Sequence, residues 1–156
     1  MLQALRESGV EILFWKVNIK PGMPFAFGIY RSSSTSRGVP VFALPGNPVS
    51  AMVTFLQFVR PALRSLMGVV GGGAATTLKA KLEHDYVKKD EKLHFARGIV
   101  RNENGTLVVR TTGIQSSGVL TSLSAGNCLI VIPQPAGVVA AGSEVEVQLT
   151  REVATA

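Results

Sequence analysis

Leu44-Pro45-Gly46-Asn47-Pro48-Val49-Ser50 is the stretch whose reading decides the fold. It joins a short apolar run, Val39 to Leu44, to a helical pattern that opens near Pro48. Asn47 stands where an N-cap belongs, and Pro48 occupies the first helical position, where a missing N–H costs nothing. Gly46 permits a sharp turn and the close approach of another group. The first turn of such a helix offers N–H donors and a positive dipole end to whatever lies above the strand ends, the general form of an anion site. The same features also describe an ordinary capped helix after a tight turn.

Upstream, residues 1–8 read as the end of a helix with Gly9 as its C′ residue. Val10 to Lys20 reads as a strand: Ile12-Leu13-Phe14 is a continuous apolar run, as in a strand buried on both faces. After it Trp15, Val17 and Ile19 alternate with Lys16, Asn18 and Lys20. A helix would also bring Lys16 and Lys20 together, but the aromatic and β-branched content and the following Pro-Gly favour the strand. Either way the two lysines are expected on one face. Met23 to Tyr30 and Val39 to Leu44 read as two more strands, joined by the polar loop 31–38. Pro48 to Met67 reads as a helix with apolar positions Val49, Met52, Val53, Leu56, Val59, Leu63 and Leu66, and Pro61 should kink or divide it near Val59.

The Gly-rich stretch 68–75 marks a boundary between units at 1–70 and 75–152. Beyond it lie short strands with turn residues. Leu93 to Glu103 and Thr106 to Thr112 flank Asn104-Gly105, a strong hairpin signal that sets Val100 opposite Val109. Arg97, Arg101 and Arg110 then share the other face. Cys128 to Ile132 and Glu144 to Leu149 complete the visible strands, and the whole reads as a small barrel or sandwich.

The chain has 156 residues, 46% of them hydrophobic, enough for a packed core. Its formal net charge of +6 and pI near 9.9 favour anionic partners. The charge is spread along the chain without a basic block, and the single Trp and two Tyr leave no aromatic set to interleave with it, so a nucleic-acid-binding barrel is the weakest reading. One cysteine, Cys128, excludes an internal disulfide and fits a reducing compartment. His84 and His94 are isolated and read as surface or strand residues, not metal ligands. Residues 1–8 read as too short and too charged for a signal peptide, and no apolar run approaches the roughly 20 residues that span a bilayer, so a cytoplasmic protein without membrane partners is expected.

Phe14-Trp-Lys16-Val-Asn-Ile-Lys20-Pro21-Gly22-Met23-Pro24-Phe25, followed by the Leu44–Ser50 turn, resembles the MoeA family of molybdopterin molybdotransferases, which includes the catalytic part of gephyrin. The resemblance runs to about Thr150. Met23 departs from it, standing where the family loop has a third lysine. The resemblance implies the C-terminal end of a three-layer α/β domain like that of MogA, followed by an all-β domain. It implies a substrate of adenylylated molybdopterin plus molybdate, release of AMP, a magnesium ion, a homodimer, and contacts with other proteins of molybdenum cofactor synthesis. It also implies roles for particular residues: Lys16 and Lys20 as catalytic cations, and Pro45, Gly46, Asn47, Pro48 and Ser50 at the substrate. Arg97 and Ser117 would face the cleft from the last domain.

The family's acidic metal loop has no counterpart here. Residues 1–67 carry only Glu7 and Glu11, and magnesium is normally held by one or two carboxylates plus phosphate. The chain therefore reads as a C-terminal portion whose Mg²⁺ ligands lie elsewhere, inactive alone but able to bind anions. A non-catalytic anion-binding or scaffold module of the same family is the alternative.

Overall fold

The computed structural model describes residues 1–32, 37–70, 75–113, 115, 124–134 and 137–151. Helix α1 (Leu2–Glu7) ends at Ser8, and Gly9 takes the left-handed conformation, φ 78°, that closes a helix. Strands β1 (Val10–Trp15), β3 (Ala26–Tyr30) and β4 (Val39–Ala43) form an antiparallel sheet in the order β1-β3-β4.

The expected strand from Val10 to Lys20 is two strands in two different sheets. The first stops at Trp15 because Lys16 adopts φ 70°, which turns the chain out of the extended run. Backbone bonds from Lys16 N to Phe25 O and Val17 N to Met23 O then fold the segment back on itself. Strand β2, only Ile19–Lys20, belongs to the second sheet. Lys16 and Lys20 therefore share no strand face. Nor is the apolar run buried on both faces: Leu13, Phe14 and Trp15 are 53%, 43% and 45% exposed, with an irregularity in the β1–β3 register between Ile12 and Phe14. Phe14 instead edges an open apolar groove of about 470 Å³ that includes Phe25, Phe27, Phe42 and Phe58.

The long helix is divided as Pro61 requires. Helix α2 (Pro48–Thr54) passes through a π-helical turn, Phe55–Val59, into α3 (Arg60–Leu66), and Arg60 N bonds Phe55 O. Proline has no N–H to give, and its ring crowds the carbonyl four residues back, so the turn ahead of it widens.

Five later strands close into a barrel. Around the ring run β7 (Leu93–Glu103), β8 (Thr106–Thr111), β5 (Thr77–Leu82), β11 (Glu144–Leu149) and β9 (Cys128–Ile132), with β9 pairing back to β7. Closure leaves no free edge on these strands. Asn104 and Gly105 turn the β7–β8 hairpin at φ 51° and 85°, both positive as a two-residue turn of the I′ kind needs, and Val100 pairs with Val109 as expected. Ala96, Val100, Val109, Cys128, Ile130, Ile132, Val145 and Val147 fill the inside. At Gly98 a Cβ would sit 2.7 Å from Ile130 Cγ1 and 3.0 Å from Cys128 Sγ, so only glycine lets β7 lie this close to β9. A separate ribbon pairs β6 (Tyr86–Lys88) with β10 (Gly137–Val139).

The two parts are stitched together by β2. It runs parallel to β7, placing Ile19 beside Leu93 and Lys20 beside His94. Ile19, Val53, Phe95 and Leu129 bury together at this junction, and Gln57 Nε2 donates to Gln148 Oε1 at 2.7 Å.

Candidate anion-binding site

The turn at residues 44–50 caps its helix as its sequence suggests. Asn47 Oδ1 accepts from Val49 N at 3.1 Å and Ser50 N at 3.4 Å, and Pro48 is the first helical residue. That capping corrects the anion reading of the turn. Pro48 has no N–H, and the next two N–H groups are taken by the carboxamide, so the helix start offers no spare donor. Gly46 is not in the left-handed region, and a Cβ there would meet nothing within 4 Å, so the chain turns here without needing its freedom. Pro45 is buried, while Gly46 and Pro48 are exposed.

Lys20 is better placed. It lines a cavity of about 360 Å³ with Pro21, Gly22, Met23, Pro24, Ser50, Lys92 and Gln115. Gly22 holds this loop against α2: at φ 117° its missing Cβ would lie 2.6 Å from Thr54 Cγ2 and 3.1 Å from Ile19 Cδ1. The loop thus brings Lys20 and Ser50 to one cavity. Lys16 does not line it; its ammonium lies 4.2 Å from the centroid of the Trp15 ring, a cation–π contact on the surface.

A second cavity of about 620 Å³ shares Lys20, Pro21 and Gln115 with the first and adds Tyr86, Lys89, His94 and Arg97. Arg97 is not on an open arginine face: it is 2% exposed, and burial pulls its guanidinium below the ordinary value, with Tyr86 opposing. Met52 and Leu56 line a further cavity with Arg97, whereas Arg101, further along β7, pairs with Glu83 and Glu103 near solvent. Arg97's backbone is latched by Gln115, whose Oε1 accepts from Arg97 N at 2.8 Å and whose Nε2 donates to Arg97 O at 3.2 Å. Ser117 lies outside the described residues.

Residues 1–67 offer only Glu7 and Glu11, but a carboxylate from the second half of the chain, Asp90, stands against Lys20. Its Oδ2 accepts from Lys20 Nζ at 3.0 Å, while Oδ1 accepts from His94 Nε2 at 2.7 Å and Lys92 N at 3.1 Å. His94, 4% exposed, completes a chain to Tyr86: the hydroxyl lies 3.0 Å from Nδ1. A carboxylate only accepts, so Nε2 carries the proton and the neutral ring's Nδ1 receives the Tyr86 hydroxyl. Desolvation alone would raise the Asp90 carboxyl, but bonds from His94, Lys20 and Lys92 N override it and hold it well below the usual range. Burial lowers His94, against the raising pull of Asp90. Burial raises Tyr86, against the positive charge of Arg97. No sequence signal marked this group, because it exists only through the β2–β7 pairing.

Magnesium does not fit these residues. Both Asp90 oxygens are engaged by cations or N–H donors, and among the described residues no group of three or more His, Cys, Asp or Glu could hold a metal. Among them, too, no helix is long and apolar enough to cross a membrane.

A cleft bearing Lys20, Lys92 and Arg97, between a loop–helix junction and the outer wall of a closed five-stranded barrel, defines the class of the fold: an α/β unit joined to a barrel. The chain belongs to the MoeA-type family: residues 1–65 match the probable molybdopterin binding domain, and residues 79–150 the MoeA C-terminal region (domain IV). It is 36% identical over 147 residues to the molybdopterin molybdenumtransferase of Haemophilus influenzae, covering 94% of this chain and 35% of that protein. It is 33% identical to gephyrin of Dictyostelium discoideum, covering 94% of this chain and 23% of that one. A crystal structure of a molybdopterin biosynthesis MoeA protein from Pyrococcus horikoshii superposes with a TM-score of 0.75 at 27% identity, covering 97% of this chain and 34% of that one. The chain therefore spans about a third or less of the length of these relatives.

Proposed function

We propose that this chain forms the cationic side of the active site of a molybdopterin molybdotransferase, the side that receives adenylylated molybdopterin and molybdate before AMP leaves. In this reading Lys20, which lines both cavities, carries the principal charge, with Ser50 in the first cavity, Arg97 in the second, and Ser117 as a further substrate contact. Lys16 and the Pro45–Pro48 turn act nearby, the turn by shaping the helix start. Units at 1–70 and 75–152 enclose the site, and the Mg²⁺ ligands lie outside this chain. Placement in the cytoplasm, a homodimer closed over the exposed phenylalanine groove, and contacts with other cofactor-synthesis proteins belong to the same proposal.

The observation that carries it is the convergence of Lys20, Lys92, Ser50 and Gln115 on one cavity. All the reactants are anions, and a charge-assisted contact in a cleft is worth roughly 1.5–3 kcal/mol. Calorimetric titration with AMP tests the reading: weak but saturable binding is expected, weakened about tenfold or more by Lys20→Ala. Absence of AMP and molybdate binding by the intact chain would refute it. The scaffold alternative is favoured by the open phenylalanine groove, and molybdate insertion on co-expression with an N-terminal portion would argue against it.

A further inference from the structure

We propose that Asp90 and His94 are positioning residues for Lys20, forming with Tyr86 a hydrogen-bonded relay that fixes the lysine's ammonium at the mouth of the cavities. The inference rests on the reading of Lys20 as an anion-binding group. A lysine side chain on the surface samples many rotamers, and a contact to a ligand must overcome that entropy. Lys20 is 55% exposed at its side chain, so packing does not hold it. Asp90 does, taking one of its three N–H donors at 3.0 Å and leaving two to point elsewhere.

Asp90 is in turn held from two other directions. Lys92 N donates to Oδ1 at 3.1 Å, and His94 Nε2 donates to the same oxygen at 2.7 Å. The His94 ring cannot swing, being buried and bonded at its other nitrogen by Tyr86, whose ring meets it edge-on at 5.9 Å between centroids. The backbone builds the arrangement: β2 and β7 run parallel with Lys20 and His94 as register partners, and the bend at Asp90 brings its carboxylate to both side chains. Groups that orient another group in this way act as a second layer of a site, where loss of one member loosens the group that meets the ligand.

The test uses the intact chain, AMP as probe, and two readouts. The first is the ¹H–¹⁵N signal of the Lys20 ammonium without ligand, assigned by its loss in Lys20→Ala. The second is AMP affinity by calorimetry. His94→Ala removes the donor to Asp90 without changing the charge of a neutral ring; His94→Gln keeps an N–H donor. A restrained ammonium signal is expected in the wild type and in His94→Gln, and its loss in His94→Ala and Asp90→Asn. AMP affinity should fall about fivefold in His94→Ala and stay within about twofold in His94→Gln. Should His94→Ala not fold, Asp90→Asn against His94→Gln gives the same contrast in the ammonium signal. A signal that persists in Asp90→Asn, or an affinity unchanged in folded His94→Ala, overturns the relay. If Lys20→Ala binds AMP as the wild type does, the anion-site reading fails instead, and the ammonium signal alone decides the relay.

Discussion

Lys20 Nζ lies 3.0 Å from Asp90 Oδ2, across 70 residues of chain. Lys20 is thus no free cation waiting at the end of a strand; its charge is already shared. An incoming anion must compete with Asp90 or use the remaining donors. Lys20→Ala removes the attraction and leaves the carboxylate facing the anion, so AMP binding should weaken about tenfold or more. The pair is partly exposed, and such pairs contribute about 0–1 kcal/mol to stability. The melting temperature should therefore hardly change, which a thermal melt beside the calorimetry checks.

Asn47 serves the helix, and its replacement should show in stability before it shows in binding. Asn47→Ala leaves Val49 N and Ser50 N without their acceptor, at a cost of about 0.5–2 kcal/mol. Asn47→Asp keeps the cap and adds a favourable charge at the helix start, so it should melt near the wild type. In urea titrations the alanine variant's midpoint should fall with no change in slope. Equal midpoints for Ala and wild type would show that the cap does not hold α2.

These two residues show how far the sequence could be read. The Asn47-Pro48 cap, the Pro61 break and the Asn104-Gly105 hairpin were legible because each depends on chemistry within a few residues. The barrel's inner face was legible at Val100 and Val109 for the same reason, through two-residue periodicity about a turn. What failed depended on distant chain. Alternation from Trp15 to Lys20 looked like one strand, and nothing local announced that Lys16 would take φ 70° or that Ile19–Lys20 would join a barrel strand. Arg97 was legible as an outward residue but not as a buried one, since the residues found beside it, Gln115, Met52 and Leu56 among them, are distant in the chain. Asp90 and His94 are four apart in a loop and strand start, a spacing with no meaning until β2 brings Lys20 beside them.

Gly22 should tolerate no side chain. A Cβ would lie 2.6 Å from Thr54 Cγ2, and φ 117° is strained for any L residue. Thr54 is buried and fixed, its hydroxyl donating to Ser50 O at 2.9 Å, so it cannot step aside. Gly22→Ala should lift the loop from α2, lower stability by about 1–3 kcal/mol and weaken AMP binding together. Gly46→Ala, with open space around it, should do neither. Similar melts for the two variants would remove the close packing of loop on helix as the reason for a glycine.

Cys128 points into the barrel, 2% exposed, and burial pushes its thiol up to about 12 from an ordinary 9.0. The thiolate is the reactive form, so the folded protein should resist a thiol reagent at pH 8 and react only at its rate of opening. Fast labelling of the native chain would mean that the β7–β9 wall is open.

Acid should unfold the protein earlier than its exposed carboxylates alone would require, and His94 sets where the decline begins. In the unfolded chain His94 takes up a proton near its ordinary 6.5; in the folded chain burial holds it lower. Between those values the unfolded state binds more protons, so stability rises with pH there and is lost as pH falls from about 6.5. Asp90 has the same sign further down: its ordinary value is 3.8, the folded value is lower, and stability is lost as pH falls through the range beneath 3.8. Melting temperature against pH should therefore drop in two stages. His94→Gln should flatten the first stage and leave the second, while Asp90→Asn should flatten the second and also deepen the first, because the carboxylate is what keeps the imidazole from falling further. An unchanged first stage in His94→Gln would show that the ring is not buried neutral between Asp90 and Tyr86.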